Sequence, residues 1–183
     1  MGTRWVMSFY EKKNGKKELV GRIYGQCDGY PDGYPMFVMS LLAERQMTNG
    51  IPLGKVFEVI NGPDDLVTQV ITLLKLVTAL NRLKFMGTKE IRIKDYEDAF
   101  KYVAAGTIYA CPWKPEDLCI DYRYDIIAEL PRNNPTDIID IITGSYNIKV
   151  KVYKARYDSV NDKTKFTKIF EGTPKEYIER FKE

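Results

Sequence analysis

The sequence predicts a single α+β domain over residues 1–183, with a mostly antiparallel twisted sheet, a long central helix at about 64–83 and a short C-terminal helix at about 174–182. Three observations predict it. Apolar and polar residues alternate in segments near both ends of the chain, which is the period of half-buried strands. Residues 64–83 carry apolar side chains at helical spacing. The chain has 183 residues, 44% hydrophobic and 29% charged, enough to form one core without a metal or a disulfide.

The first element is a hairpin, TRWVMSFYE and ELVGRIYGQC, closed by Asn14-Gly15. A two-residue loop pairs Trp5 with Tyr24, Met7 with Arg22 and Phe9 with Val20. Gly25 and Gly21 then lie opposite Arg4 and Ser8, leaving room above them. The tip, EKKNGKKE, concentrates four lysines as a solvated turn.

Next comes DGYPDGYP, residues 28–35, the same tetrapeptide twice. Each Asp-Gly can form a turn with positive φ at glycine, while the aspartate accepts from amides two residues on. The hairpin register sets Arg4 beside Asp28, about 7–8 Å from Cys27 across the strands. Pro35 can start a helix over YPMFVMSLLAERQM, ended by Asn49-Gly50.

Asn61-Gly62-Pro63-Asp64-Asp65 marks the start of the central helix, with Pro at its first turn and two acids at the positive end of the dipole. Apolar residues at 66, 70, 73, 74, 77, 80 and 83, widened by Val67 and Ile71, predict a helix packed on a sheet. KEIRI and TIYAC read as strands around an amphipathic helix, YEDAFKYVAAG. CIDYRYDIIAEL alternates Ile120, Tyr122, Tyr124, Ile126 and Ala128 against polar residues, as in a strand covered on one side only. A turn-rich stretch at 131–135 leads to DIIDIITG, readable as helix or strand, and IKVKVYKARY is another half-buried strand. Thr173, Pro174 and Glu176 form a capping box that starts the last helix.

Composition narrows the chemistry. The chain has no histidine, which removes the usual general base near neutral pH and every Ser-His or Cys-His nucleophile. Cys27, Cys111 and Cys119 lack the spacing of a metal site, so neither metal nor cofactor is expected, and their odd number points to a reduced, intracellular protein. No signal peptide or membrane span is read. A net charge of +3 is too small to argue for specific nucleic-acid binding.

The candidate ligand-binding residues are Arg4, Asp28, Gly29, Tyr30, Asp32 and Gly33, with the alternative that both acids only hold a tight strand-to-helix connection. Asp64 and Asp65 are explained by helix-end electrostatics. Asp121, Arg123 and Asp125 facing Lys149 and Lys151 read as a solvated ion-pair ladder or a substrate surface. Cys27 is either a small buried thiol or, beside Arg4, a reactive one.

The N-terminal pattern of Gly2, Thr3 and Arg4, a strand, a turn, and then Asp28, Gly29, Tyr30 and Gly33 resembles a family of short uncharacterised proteins of bacteriophages and prophages. The resemblance extends to NGPDDLVTQVI, GTIYACP and FEGTPKEYIERFKE, with an insertion around 76–100. Cys27 stands where an aromatic is usual, and Tyr34-Pro35 departs from the family's more flexible start of the helix. The resemblance implies a viral accessory protein in the host-cell cytoplasm that binds a host protein or small molecule, with no assigned reaction. A small hydrolase using Asp28 and Asp32 is the alternative. A virion component or homo-oligomer assembling through tyrosine-rich sheet edges is another.

Overall fold

A computed structural model describes residues 2–49, 59–85, 108–130 and 145–182. In chain order the elements are β1 (Trp5–Lys13), β2 (Lys16–Gly25), α1 (Tyr34–Glu44), β3 (Gln46–Thr48), β4 (Val59–Asn61) and α2 (Gly62–Phe85). They continue with β5 (Ile108–Ala110), a 3-10 turn (Pro115–Asp117), β6 (Tyr122–Glu129), β7 (Asn147–Asp158), β8 (Lys163–Gly172) and α3 (Pro174–Phe181). The strand expected at 89–93, the helix at 96–106, the turns at 131–135 and the segment 137–144 lie outside the described residues.

The main sheet runs β5-β2-β1-β6-β7-β8. Every pairing in it is antiparallel except β1 with β6. The expected α+β domain, with its mostly antiparallel sheet, long helix and short C-terminal helix, is therefore the observed one. One face of the sheet, carrying Trp5, Met7, Phe9, Ile23, Tyr124, Ile126, Val150 and Val152, forms the main core with α1, α2 and α3. The helices bury their apolar stripes there, each fully buried large side chain contributing about 1.5–3 kcal/mol. Gly21 lets α2 come close, since a methyl group there would sit 3.1 Å from Val67. The opposite face carries a smaller cluster of Val6, Cys111 and Ile120.

Three expectations are corrected. The hairpin starts in the expected register, with Lys13 opposite Lys16 and Tyr10 opposite Leu19, but Val20 is an extra residue in β2. That bulge pairs Trp5 with Gly25 and Phe9 with Gly21, so the glycines lie opposite aromatic residues and not Arg4 or Ser8. Helix α1 stops at Glu44 because Gln46–Thr48 leaves it to pair in parallel with β4.

Strand β6 is buried on both sides from Tyr124 to Ala128, since it is central and both its neighbours are long. The capping box at α3 is present as expected: Thr173 Oγ1 accepts from the Glu176 amide, and Glu176 accepts from the Thr173 amide at 2.6 Å.

Candidate functional site

The loop between β2 and α1 is held by five consecutive carbonyls. That of Cys27 accepts from Trp5 Nε1 at 2.9 Å. Asp28 accepts from the Tyr34 amide and Tyr30 from the Gly33 amide, each at 2.9 Å. Gly29 accepts from the Tyr124 hydroxyl at 2.7 Å, and Pro31 from the Tyr177 hydroxyl at 2.6 Å. Trp5, Tyr124 and Tyr177 are fully buried and come from β1, β6 and α3, so three elements distant in sequence fix one loop. Burial pushes the Tyr124 and Tyr177 hydroxyls well above the usual tyrosine range, so both stay donors into alkaline pH.

The glycines answer to packing. Asp28, not glycine, takes the left-handed conformation, with φ of 52°. An aspartate tolerates it because its short side chain can bond locally. A methyl group at Gly29 would stand 2.2 Å from Trp5 Cδ1, and one at Gly33 2.2 Å from the Asp28 carbonyl oxygen. A methyl group at Gly25 would meet the same indole at 2.2 Å. The loop glycines are thus places where a side chain has no room. The expectation that they supply positive φ is corrected.

The loop exposes Asp28, Tyr30 and Asp32 to solvent. Tyr30 is 53% exposed and meets Tyr122 edge-on at 6.0 Å, and Tyr122 in turn stacks on Tyr124. Burial raises the Tyr122 pKa, and the charges of Tyr30, Asp121 and Asp32 add to that shift. The Gly29, Gly33 and Tyr34 amides turn inward to the carbonyls of Thr3, Tyr30 and Asp28, so none of these three is free to hold a ligand.

Arg4 does not join Asp28. No ion pair or hydrogen bond connects them among the described residues, because the Val20 bulge moves the register on which that pairing rested. Its backbone instead binds Asp121, donating to Oδ2 at 2.8 Å and accepting from the Asp121 amide at 2.8 Å. Its positive charge acts on Tyr24, which packs with the small cluster on the face away from the helices. Cys27, half-buried against the main core, is a packing residue there.

The expected ladder on β6 is a cluster centred on buried Asp125, with Arg123 half-buried and Glu116 exposed. Arg123 grips Asp125 with two bonds, at 2.9 and 3.0 Å, and reaches Glu116 at 2.9 Å. Its guanidinium lies over the rings of Tyr153 and Phe166. Burial alone would lower the Arg123 pKa, but bonding to Asp125 holds it above its ordinary value. Lys149 and Lys151 turn to Glu171, at 2.6 and 3.4 Å. In the same row Ser8, fully buried, accepts from Arg22 Nε. Sequence reading missed this polar interior, although a serine within WVMSF and an aspartate within YRYDIIA were its signal.

No three metal-ligating side chains cluster among the described residues, and no described helix is long and apolar enough to cross a membrane. Compared with protein-family models, with curated proteins and with solved structures, the chain matches none.

Proposed function

We propose that this chain is a viral or prophage accessory protein that acts in the host cell by binding a host protein or small molecule through the side chains displayed by the loop at 28–33. The observation that supports this most is the contrast within the loop: all five carbonyls from Cys27 to Pro31 are bonded inward, while Asp28, Tyr30 and Asp32 point to solvent. A backbone fixed before binding loses little entropy when a partner arrives. An aromatic ring flanked by two carboxylates suits a contact residue, since tyrosine supplies large area with few rotatable bonds. Gly29 and Gly33 shape the display, and Arg4 is outside it.

Hydrolysis is the weaker reading, because neither Asp28 nor Asp32 has a partner among the described residues that would set it up as acid or base. Assembly through the sheet edges is disfavoured as well. Among the described residues β5 covers only Ile23–Gly25 of β2, whose remaining edge carries Lys16 and Lys17, and β8 carries a bulge at Ile169 together with Lys163, Lys165 and Lys168, features that discourage edge pairing.

The test compares wild type with Tyr30→Ala in quantitative capture from host lysate and in a small-molecule thermal-shift screen. Tyr30 is half exposed, so the variant should keep its melting temperature within a few degrees while losing the wild-type partner at least about tenfold. Unchanged capture and an unchanged ligand response by a stable variant would place binding elsewhere.

A further inference from the structure

A second surface lies on the β7–β8 ribbon and begins beside the loop, since Lys154 is the cross-strand partner of Tyr122, on which Tyr30 packs. Strand β6 pairs with β7 only as far as Lys154, opposite Tyr122, whereas β7 and β8 continue to the pair Asp158 and Lys163. Cross-strand partners share a face, and so do alternate residues along a strand. One face of the ribbon therefore carries Lys154 opposite Thr167, Arg156 opposite Lys165, and Asp158 opposite Lys163. All of these except Asp158 are exposed. The other face, with Ala155, Phe166 and Thr164, packs inward, and Thr164 bonds to the Leu118 carbonyl.

The solvent face holds four cations against one acid, a net +3 that equals the formal charge of the whole chain. Asp158 neutralises only Lys165, at 2.7 Å, and no ion pair or hydrogen bond holds Lys154, Arg156 or Lys163 among the described residues. Arg156 stands directly opposite Lys165, and because Asp158 offsets only the lysine, the arginine's charge is left uncompensated among the described residues.

We propose that this face binds the phosphate backbone of duplex nucleic acid without reading its sequence. Three features favour that occupant over an acidic protein. The face has no apolar side chain, whereas protein interfaces need a desolvated core from which charges are depleted. Lysine, arginine and a threonine hydroxyl are the usual donors to phosphate oxygens. A two-stranded ribbon also has the width that the major groove admits.

The test is fluorescence anisotropy of a short labelled duplex titrated over a range of salt. Three unpaired cations predict a slope of log K against log salt of roughly −3, at about −0.9 per phosphate neutralised. Lys154→Glu with Arg156→Glu should weaken binding at low salt by at least about tenfold and flatten the slope by about 2. Lys13→Glu with Lys16→Glu, an equal change of charge on the exposed hairpin tip, should change affinity by less than about threefold. Lys154→Gln with Arg156→Gln repeats the measurement with milder substitutions if the glutamate pair lowers the melting temperature. No binding at low salt, equal losses in the ribbon and tip variants, or tighter binding to polyglutamate than to the duplex would each overturn the proposal.

Discussion

Two turns in this molecule use the same local chemistry for different ends. At the β1–β2 tip, Asn14 and Gly15 take φ of 52° and 81°, the pair of left-handed residues that a two-residue hairpin turn requires. All residues from Lys13 to Leu19 are exposed, so that turn serves the hairpin alone. At the loop after β2, Asp28 takes the same φ of 52°, yet Gly29 is buried against Trp5 and the neighbouring carbonyls are held by two tyrosines and a tryptophan. The difference teaches that an Asx-Gly turn has a fixed local cost and a variable tertiary value. At the tip the glycine can be exchanged at the cost of one strained residue; in the loop it cannot be exchanged without moving the core.

Gly29→Ala should have the largest effect. The added methyl group would overlap the Trp5 indole, and overpacking against a fully buried tryptophan should cost about 3 kcal/mol, read as a fall in melting temperature of roughly 6–12 °C. A cost near zero would mean that the loop is as independent as the tip. Tyr177→Phe comes next: it removes the donor to the Pro31 carbonyl and should cost about 1–3 kcal/mol in denaturant unfolding, with fast amide exchange confined at first to the loop. Gly15→Ala should cost about 1–2 kcal/mol, the strain of a left-handed alanine, and leave the loop's exchange unchanged.

An alkaline titration sharpens the contrast. Tyr124 and Tyr177 have folded pKa values raised by burial, so their contribution is complete below the unfolded value of about 10 and is lost as pH climbs above it. Wild-type stability should fall above that pH, and Tyr177→Phe should fall less steeply, having one raised group fewer. The smallest effect belongs to Asp28→Asn with Asp32→Asn. Both side chains are exposed and asparagine accepts the left-handed conformation, so unfolding should stay cooperative within about 1 kcal/mol. A failure to fold would make the acids structural and remove them from the proposed binding face.

Elements set by local pattern are legible in the sequence. The 3.6-residue stripe of α2, the capping box at Thr173, the Asn14-Gly15 turn and the alternation in β6 and β7 each depend on neighbours within a few residues, and each lies where its pattern predicts. The candidate site is legible only as a loop of unusual composition. Its residues can be identified, but their roles rest on a hairpin register that a single bulge at Val20 displaces. A bulge has no strong sequence mark, and a shift by one residue exchanges the two faces of a strand for everything beyond it.

The α+β class, the helix starts, the Asn14-Gly15 turn and the lack of histidine chemistry are legible in the residues alone, because they follow from composition and from interactions along a short stretch of chain. Tertiary structure decided the rest. It placed Trp5 between Gly25 and Gly29, sent the hydroxyls of Tyr124 and Tyr177 to two loop carbonyls, paired Arg123 with Asp125 inside the sheet, and left Lys154, Arg156 and Lys163 facing water. These outcomes depend on which strands become neighbours and in what register, and that is fixed by burial summed over the whole core.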